Sequence, residues 1–199
     1  MIPKHLALVI LFFTAFAYSG SNTITYSGKT YKTVKIGTQT WMAENLNYDA
    51  EGSKCFGEDP NYCAKYGRLY NWETAKKVCP KGWHLPSNAE WDKLLRLVDG
   101  AKGTESPYES PTAGKHLKAA SGWNEDGNGT NKYGFSALPG GRGFSDGSFY
   151  DAGDTGYWWS ASEYNSVSAY YRYMDYYNEL ANWYGYNKSS LWSVRCVKD

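Results

Sequence analysis

The segment CPKGWHLPSNAEW, residues 79–91, constrains the fold more than any other part of the chain. Pro80 and Gly82 interrupt regular structure. Ser87, followed three residues later by Glu90, then predicts a capping box at the start of a helix. Apolar residues recur with the spacing of one helix face, at Trp91, Leu94, Leu95 and Val98. The segment therefore predicts a loop that leads into an amphipathic helix ending near residue 98.

The N-terminus has the pattern of a secretory signal peptide. Lys4 and His5 precede an apolar run over residues 6–16, and Ala15-Phe16-Ala17 fits a small-x-small cleavage site. The run is shorter than the ~20 apolar residues that a membrane-spanning helix needs, so a retained anchor is the less favoured alternative. No later segment is apolar enough to span a membrane. We expect a signal peptide over 1–17, export to the cell surface or beyond, and one domain over 18–199.

The four cysteines of an exported chain predict two disulfides. Four cysteines allow three connectivities, and the sequence alone does not choose among them. Cys55 and Cys63 flank a turn-rich segment, which favours a local bridge and leaves Cys79 to pair with Cys196. A metal site is the rival interpretation, but no C-x-x-C spacing supports it.

The composition excludes some partners and one fold class. The net charge is +1, from 21 basic and 20 acidic residues, so no strong field favours nucleic acid. The chain has 19 Tyr, 9 Trp, 7 Phe and 21 Gly. This content predicts short strands joined by many turns rather than a helical bundle.

The pattern along the chain predicts an α+β fold. Short strands are expected over 23–48, a loop over 49–67, helices over 69–78 and 87–98, and a surface loop over 100–115. The second half shows turns and short strands. The strand candidates there are 157–162, 169–173, 181–186 and 191–197.

Several motifs follow one another in a characteristic order: GRLYNWETAKKVCPKGWHLPSNAEWDKLL, AGKHLKAASGW, NKYGFSALPGGRG, GYWWSAS and SVRCVKD. In order and spacing they resemble the Fibrobacter succinogenes major paralogous domain, over about residues 30–199. The resemblance implies a C-type-lectin-like fold, related to the formylglycine-generating (sulfatase-modifying) enzymes, and it implies no activity. We therefore expect a single C-type-lectin-like α+β domain with two short helices, followed by short antiparallel strands and long loops, and two disulfides.

The related enzymes suggest where catalysis would have to reside. They carry a pair of copper-binding active-site thiols near the C-terminus, where only Cys196 lies here, and this residue is the expected partner of Cys79. His84 and His116 have no neighbouring pattern of a nucleophile or a zinc site, and His84 is interpreted as a packed structural residue. We expect the protein not to be an enzyme. An extracellular enzyme of the sulfatase-modifying branch is the alternative.

The loop WNEDGNGTNKYG has the spacing of a calcium-binding loop. Oxygen-bearing side chains occupy alternate positions, at Asn124, Asp126, Asn128 and Thr130. The alternative is a polar loop whose Asn and Asp residues only support turn geometry. The sugar-binding EPN and QPD triplets of C-type lectins are absent, so their calcium-dependent sugar site is not implied. A structural Ca²⁺ is the one cofactor that the sequence suggests.

An aromatic-rich segment gives the strongest indication of a binding surface. Eight Tyr and Trp residues crowd the 17 positions from Tyr170 to Tyr186. Because consecutive strand residues face opposite sides, these rings cannot all belong to a core. Tyr and Trp suit stacking on sugar rings or docking to a protein. The candidate ligand contacts are Trp158, Trp159, Arg172, Tyr176, Tyr177, Trp183 and Tyr184.

These observations predict a secreted or surface-exposed binding module without catalytic activity. The expected ligand is carbohydrate or another cell-surface component, such as a protein. Two alternatives remain for the aromatic segment. Half of its rings can belong to the core while the rest cover a small sheet, and the protein can be a structural or adhesion module without a glycan ligand.

Overall fold

A computed structural model defines residues 22–100 and 109–199. The predicted signal peptide over 1–17 and its expected cleavage site lie outside the described residues, as do residues 101–108 of the predicted surface loop. Within the described ranges, no helix is long and apolar enough to cross a membrane.

The first half of the chain alternates short strands and short helices. The elements are β1 (Asn22–Tyr26), β2 (Lys29–Ile36), β3 (Gln39–Met42), α1 (Pro60–Tyr66), β4 (Leu69–Tyr70), α2 (Trp72–Ala75), β5 (Trp83–His84) and α3 (Asn88–Asp99). The second half is richer in strands. Its elements are β6 (Glu109–Ser110), α4 (Ala113–Leu117), β7 (Gly140–Gly143), β8 (Phe149–Ala152), β9 (Thr155–Glu163), β10 (Ser168–Asp175), β11 (Ala181–Asn187), β12 (Trp192–Ser193) and β13 (Val197–Lys198).

The strands form two sheets. The first has the order β1-β2-β3-β13-β5, and the second has the order β4-β12-β9-β10-β11-β6, with the β7–β8 hairpin attached to β9. Most pairs are antiparallel, but β12 and β7 each pair with β9 in parallel. The mixed α+β composition agrees with the prediction, whereas the two parallel pairs differ from the expected antiparallel strands.

The capping-box prediction is confirmed. The Ser87 hydroxyl accepts a hydrogen bond from the Glu90 backbone N–H at 3.4 Å, and the Ser87 N–H donates to Glu90 Oε2 at 2.8 Å. Helix α3 then buries one apolar face, formed by Trp91, Leu94, Leu95 and Val98. The helix starts and ends where the sequence indicates, because both its cap and its apolar stripe are local signals.

One predicted helix and two predicted loops require correction. The expected helix over 69–78 is strand β4 followed by a single turn, α2, because Asn71 caps a new start by accepting from the Thr74 N–H at 2.9 Å. The expected loop over 49–67 contains α1. Its N-cap Asp59 accepts from the Asn61 N–H at 2.9 Å, and Pro60 occupies the first helical position. The expected surface loop over 100–115 contains the start of α4, whose Ala113 is buried.

The last predicted strand, 191–197, is two strands in different sheets. Strand β12 pairs with β4 and β9 in the second sheet, and β13 pairs with β3 and β5 in the first. The residues between them include Arg195, which is fully buried. The chain therefore crosses from one sheet to the other within a few residues.

A buried polar cluster joins the two sheets at this crossing. Arg195 donates to Asn45 Oδ1 from Nε at 3.1 Å and from Nη2 at 2.7 Å. Its remaining N–H groups donate to the backbone carbonyls of Met42, Phe135 and Ser136. Asn45 Oδ1 also accepts from Trp158 Nε1 at 2.8 Å, and Asn45 Nδ2 donates to the Tyr66 carbonyl at 2.8 Å. Burial lowers the pKa of Arg195 to about 9, so the guanidinium is charged at neutral pH.

Both disulfides form with the expected connectivity. Cys55 is bonded to Cys63, and Cys79 is bonded to Cys196. The first bridge closes a separation of 8 residues and ends within α1, and the second closes a separation of 117 residues. The second bridge links the segment before β5 to the segment that crosses between the sheets.

Candidate ligand-binding surface

The two consecutive tryptophans of β9 lie in the core, not on the surface. Trp158 and Trp159 both have 0% exposure. Trp158 Nε1 donates to Asn45 Oδ1, as described above, and Trp159 Nε1 donates to the Tyr70 carbonyl at 2.7 Å. Trp159 also stacks on Trp192 with 4.0 Å between ring centroids. Both rings are enclosed because β9 is an interior strand with apolar residues on each face, so neither ring is exposed at the surface.

Arg172 is also buried, and it supports the surface from beneath. Its side chain is 2% exposed, and its Nη2 lies 2.6 Å from Asp92 Oδ1. The guanidinium carbon lies 5.9 Å from the centroid of the Trp183 ring. Burial lowers the pKa of Arg172 to about 10, and the nearby Asp92 carboxylate opposes this shift. The guanidinium therefore lies beside the Trp183 ring and beneath the surface.

Tyr176 and Tyr177 are separated from the other candidates. They follow the end of β10, and their ring centroids lie 5.3 Å apart. Tyr176 packs against the core, whereas Tyr177 is 71% exposed. Trp183 on β11 pairs with Arg172 on β10, and Tyr176 comes four residues after Arg172. The two tyrosines therefore lie beyond the aromatic group around Trp183.

Trp183 and Tyr184 belong to a group of neighbouring rings that we call the Trp183 platform, defined as Tyr164, Tyr170, Trp183 and Tyr184. The ring centroids of Tyr170 and Trp183 lie 5.1 Å apart, as do those of Tyr164 and Tyr170. The Tyr164 and Tyr184 rings are stacked at 6.4 Å. Tyr164 is 47% exposed and Tyr184 is 59% exposed. Sequence reasoning missed Tyr164 because it lies in a turn outside the dense aromatic segment.

The position of Tyr164 is fixed by its turn and by a glycine beneath it. Asn165 Oδ1 accepts from the N–H groups of Val167 and Ser168 at 3.0 and 2.8 Å. These bonds close the turn between β9 and β10. A Cβ atom on Gly185 would lie 2.4 Å from Cγ of Tyr164. The Tyr164 ring therefore rests directly on the backbone of β11.

A surface cleft opens next to the second sheet. Its volume is about 550 Å³. The lining includes Lys54, Asn71, Glu73, Phe144, Lys188 and Leu191. The cleft combines both signs of charge with one aromatic ring, Phe144. This ring also contacts Tyr186 of β11, at 6.0 Å between centroids.

Three of the four candidate ligands in the predicted calcium loop make side-chain hydrogen bonds within the protein. Asn124 Nδ2 donates to Asp154 Oδ1 at 2.9 Å, and Asn128 Oδ1 accepts from the Trp123 N–H at 3.1 Å. Thr130 Oγ1 donates to the Lys115 carbonyl at 3.3 Å. Asp126 has a φ of +57°, as turn residues often do. No group of three or more His, Cys, Asp or Glu side chains in residues 22–100 and 109–199 is placed to hold a metal. Calcium binding by this loop stays a prediction.

His84 links three separate parts of the chain. Its Nδ1 lies 2.5 Å from Asp199 Oδ1, and its Nε2 lies 2.6 Å from Oε1 of Glu90, the capping-box residue of α3. The side chain is 40% exposed, so it is less enclosed than the sequence suggests. Burial alone would lower the pKa of His84, but the hydrogen bonds to Asp199 and Glu90 outweigh burial and raise it above 6.5.

This raised pKa predicts a pH-dependent stability. A group whose pKa is higher in the folded state stabilises the fold fully below its unfolded pKa of 6.5, and this contribution is lost as the pH rises through the folded pKa. We expect the free energy of unfolding to fall by up to about 1 kcal/mol from pH 6 to pH 8, since exposed ion pairs are weak. The H84Q variant should lose this slope in urea titrations across that range. An identical slope in both proteins would contradict the assignment.

The fold and the surface define the class of protein. It is an α+β domain cross-linked by two disulfides, with all four cysteines paired and a group of exposed aromatic rings on one sheet. The sequence model of the Fibrobacter succinogenes major domain matches residues 34–198, and the chain belongs to this family. Comparison with curated proteins and with solved structures gave no match.

Proposed function

We propose that this protein is an exported, non-catalytic binding module that recognises carbohydrate at the cell surface or outside the cell through the Trp183 platform. The signal-peptide pattern and the two disulfides support export, because disulfides persist in oxidising compartments. The pairing of every cysteine supports a role without thiol chemistry. A C-type-lectin-like fold is part of this proposal and rests on the order of the sequence motifs.

The exposure of adjacent rings on the Trp183 platform is the observation that carries the proposal. Tyr164 and Tyr184 leave about half of their surface in solvent while their rings stack on one another. Contiguous exposed aromatic surface marks interaction sites in soluble proteins. A tyrosine combines an apolar face with a polar hydroxyl edge, and a sugar ring likewise has an apolar face and polar hydroxyl edges. The platform therefore suits a sugar better than a purely apolar ligand.

Binding should depend on the Trp183 platform and not on exposed aromatic residues in general. In a screen of glycans and polysaccharides, we expect W183A and Y184A to weaken binding of the best ligand at least tenfold, which is about 1.4 kcal/mol. Y177A is the matched control because Tyr177 is exposed but lies outside the platform. Y184A should leave the melting temperature nearly unchanged, since Tyr184 is mostly in solvent.

Two results would contradict the proposal. One is an equal loss of binding in Y177A and Y184A. The other is a screen without any glycan ligand in which the protein self-associates or attaches to cells through the same rings, which would support the adhesion alternative. Repeating the screen with a chelator tests the calcium loop, because a bound ion would make binding or the melting temperature sensitive to chelation.

A further inference from the structure

An ion pair on the β7–β8 hairpin lies among aromatic rings beyond the Trp183 platform. Arg142 Nε lies 2.8 Å from Asp151 Oδ2, and the two side chains are 29% and 30% exposed. The Tyr157 hydroxyl donates to the same Oδ2 atom at 2.8 Å. Asp151 has a φ of +68°, a conformation that Asp adopts more readily than most other non-glycine residues. The carboxylate is therefore held from two sides.

The ion pair keeps hydrogen-bonding groups available on both partners. Asp151 Oδ2 accepts a hydrogen bond from Tyr157 and forms the ion pair with Arg142 Nε, which itself makes no hydrogen bond, whereas Oδ1 has no hydrogen-bond partner in the described part of the chain. Nη1 and Nη2 of Arg142 likewise have no hydrogen-bond partner in the described part of the chain, while its Nε faces Asp151. Two fixed donors thus lie next to one fixed acceptor, and the charges of the pair cancel. Neighbouring hydroxyl groups on a sugar ring, of which one donates and the other accepts, match this arrangement.

Aromatic rings surround the ion pair. The guanidinium carbon of Arg142 lies 5.4 Å from the Phe144 centroid and 5.2 Å from the Tyr157 centroid. Phe144 in turn contacts Tyr150 at 5.8 Å and Tyr186 at 6.0 Å between centroids. Tyr150 is 53% exposed and Tyr186 is 38% exposed. Polar recognition groups and stacking surfaces therefore lie side by side.

These rings continue from Tyr184 of the Trp183 platform, on the side of β11 opposite to Trp183. Tyr184 and Tyr186 are two positions apart on β11, so they lie on the same side of the strand with about 7 Å between their Cα atoms. We call the resulting series the aromatic track. It consists of Tyr164, Tyr184, Tyr186, Phe144 and Tyr150. The track leads from the platform to the ion pair, and Phe144 also borders the 550 Å³ cleft.

We propose that the aromatic track binds successive units of an uncharged oligosaccharide, and that Arg142 and Asp151 bind the neighbouring hydroxyls of one unit. This inference rests on the proposed carbohydrate function and specifies its ligand. Because the charges of Arg142 and Asp151 cancel, the pair offers a cationic or an acidic sugar no net attraction to offset the desolvation of its charge. The Arg142–Asp151 ion pair has no net charge, and it therefore selects uncharged sugar units.

The test is isothermal titration with hexasaccharides of defined charge. The neutral probes are cellohexaose, xylohexaose and mannohexaose; the charged probes are the glucosamine hexamer and hexagalacturonate. We expect at least one neutral probe to bind and both charged probes to bind at least tenfold more weakly. Y150A and R142K should each weaken the neutral probe at least tenfold. Lysine keeps the charge of Arg142 but loses its planar fork of donors.

The variants separate the inference from the proposed function. Tyr150 is mostly in solvent, so Y150A tests the track without disturbing the core. D151N removes the carboxylate charge in a residue type that tolerates positive φ, and it should also weaken binding.

Binding that depends on Trp183 but is unchanged in Y150A, R142K and D151N would overturn this inference alone. Binding that depends on Arg142 but not on Trp183 would overturn the platform, and no binding of any neutral probe would overturn both.

Discussion

The C79A/C196A double variant is expected to lose about 5 kcal/mol of unfolding free energy. The bridge closes a separation of 117 residues, and constraining such a long loop removes much of the conformational freedom of the unfolded chain. Alanine avoids placing a polar hydroxyl at position 196, where the native sulfur is fully buried. Chemical unfolding without thiol reagents measures the change. A loss of this size is comparable to half of the stability of a typical domain or more, so partial unfolding at 37 °C is expected.

The C55A/C63A variant is the matched control for this prediction. Its bridge closes a separation of only 8 residues, for which the same entropy relation gives about 2.5 kcal/mol. The order of the two effects matters more than their absolute sizes, because strain and residual structure change both values. An equal or smaller loss in C79A/C196A than in C55A/C63A would mean that the long bridge adds little to the fold.

The second large effect is expected from R195M, with a loss of about 3–5 kcal/mol. Arg195 is fully buried and supplies hydrogen bonds to Asn45 and to three backbone carbonyls. Methionine fills similar space but donates nothing, so those carbonyls remain buried without a donor. Asn45 Oδ1 keeps the Trp158 N–H as a partner, which limits the loss at that atom. Equilibrium unfolding in urea measures the difference.

Two further variants serve as comparisons for R195M. R195K keeps a positive charge but replaces a planar fork by a single nitrogen, so an intermediate loss is expected. R96M changes an exposed arginine on α3 and should alter stability by less than about 0.5 kcal/mol. A loss below about 1 kcal/mol in R195M would show that the crossing between the sheets does not depend on the buried guanidinium.

The parts of the fold that the sequence predicts are those with local signals. The α3 capping box and its apolar stripe are complete within a single short segment, and the close spacing of Cys55 and Cys63 favours the observed pairing. The Asp59-Pro60 start of α1 is also a local signal, but the shortness and polarity of that segment favour a loop. The split of 191–197 into β12 and β13 has no local signal, because it depends on where Arg195 is buried.

The candidate site is only partly predictable for a related reason. An aromatic residue on a strand gives no indication of whether its strand is central or peripheral in a sheet. Trp158 and Trp159 are therefore indistinguishable by pattern from Trp183 and Tyr184, although the first pair is enclosed and Tyr184 is mostly exposed. Arg142 and Asp151 come together through the β7–β8 pairing, and the rings around them come from β8, β9 and β11 or their flanking segments. These residues come from separate strands and meet only in the folded protein, so no local sequence pattern predicts the combination.

The position of β13 determines when this protein can acquire its structure. Strand β13 lies between β3 and β5, so a growing polypeptide that lacks residues 197–198 has a gap in the middle of its first sheet. The backbone bond from the Met42 N–H to the Cys196 carbonyl, and the bridge from Cys79, likewise need residue 196. During synthesis, the joining of β3 to β5 through β13 and its covalent closure therefore wait until residues 196–198 have emerged from the ribosome.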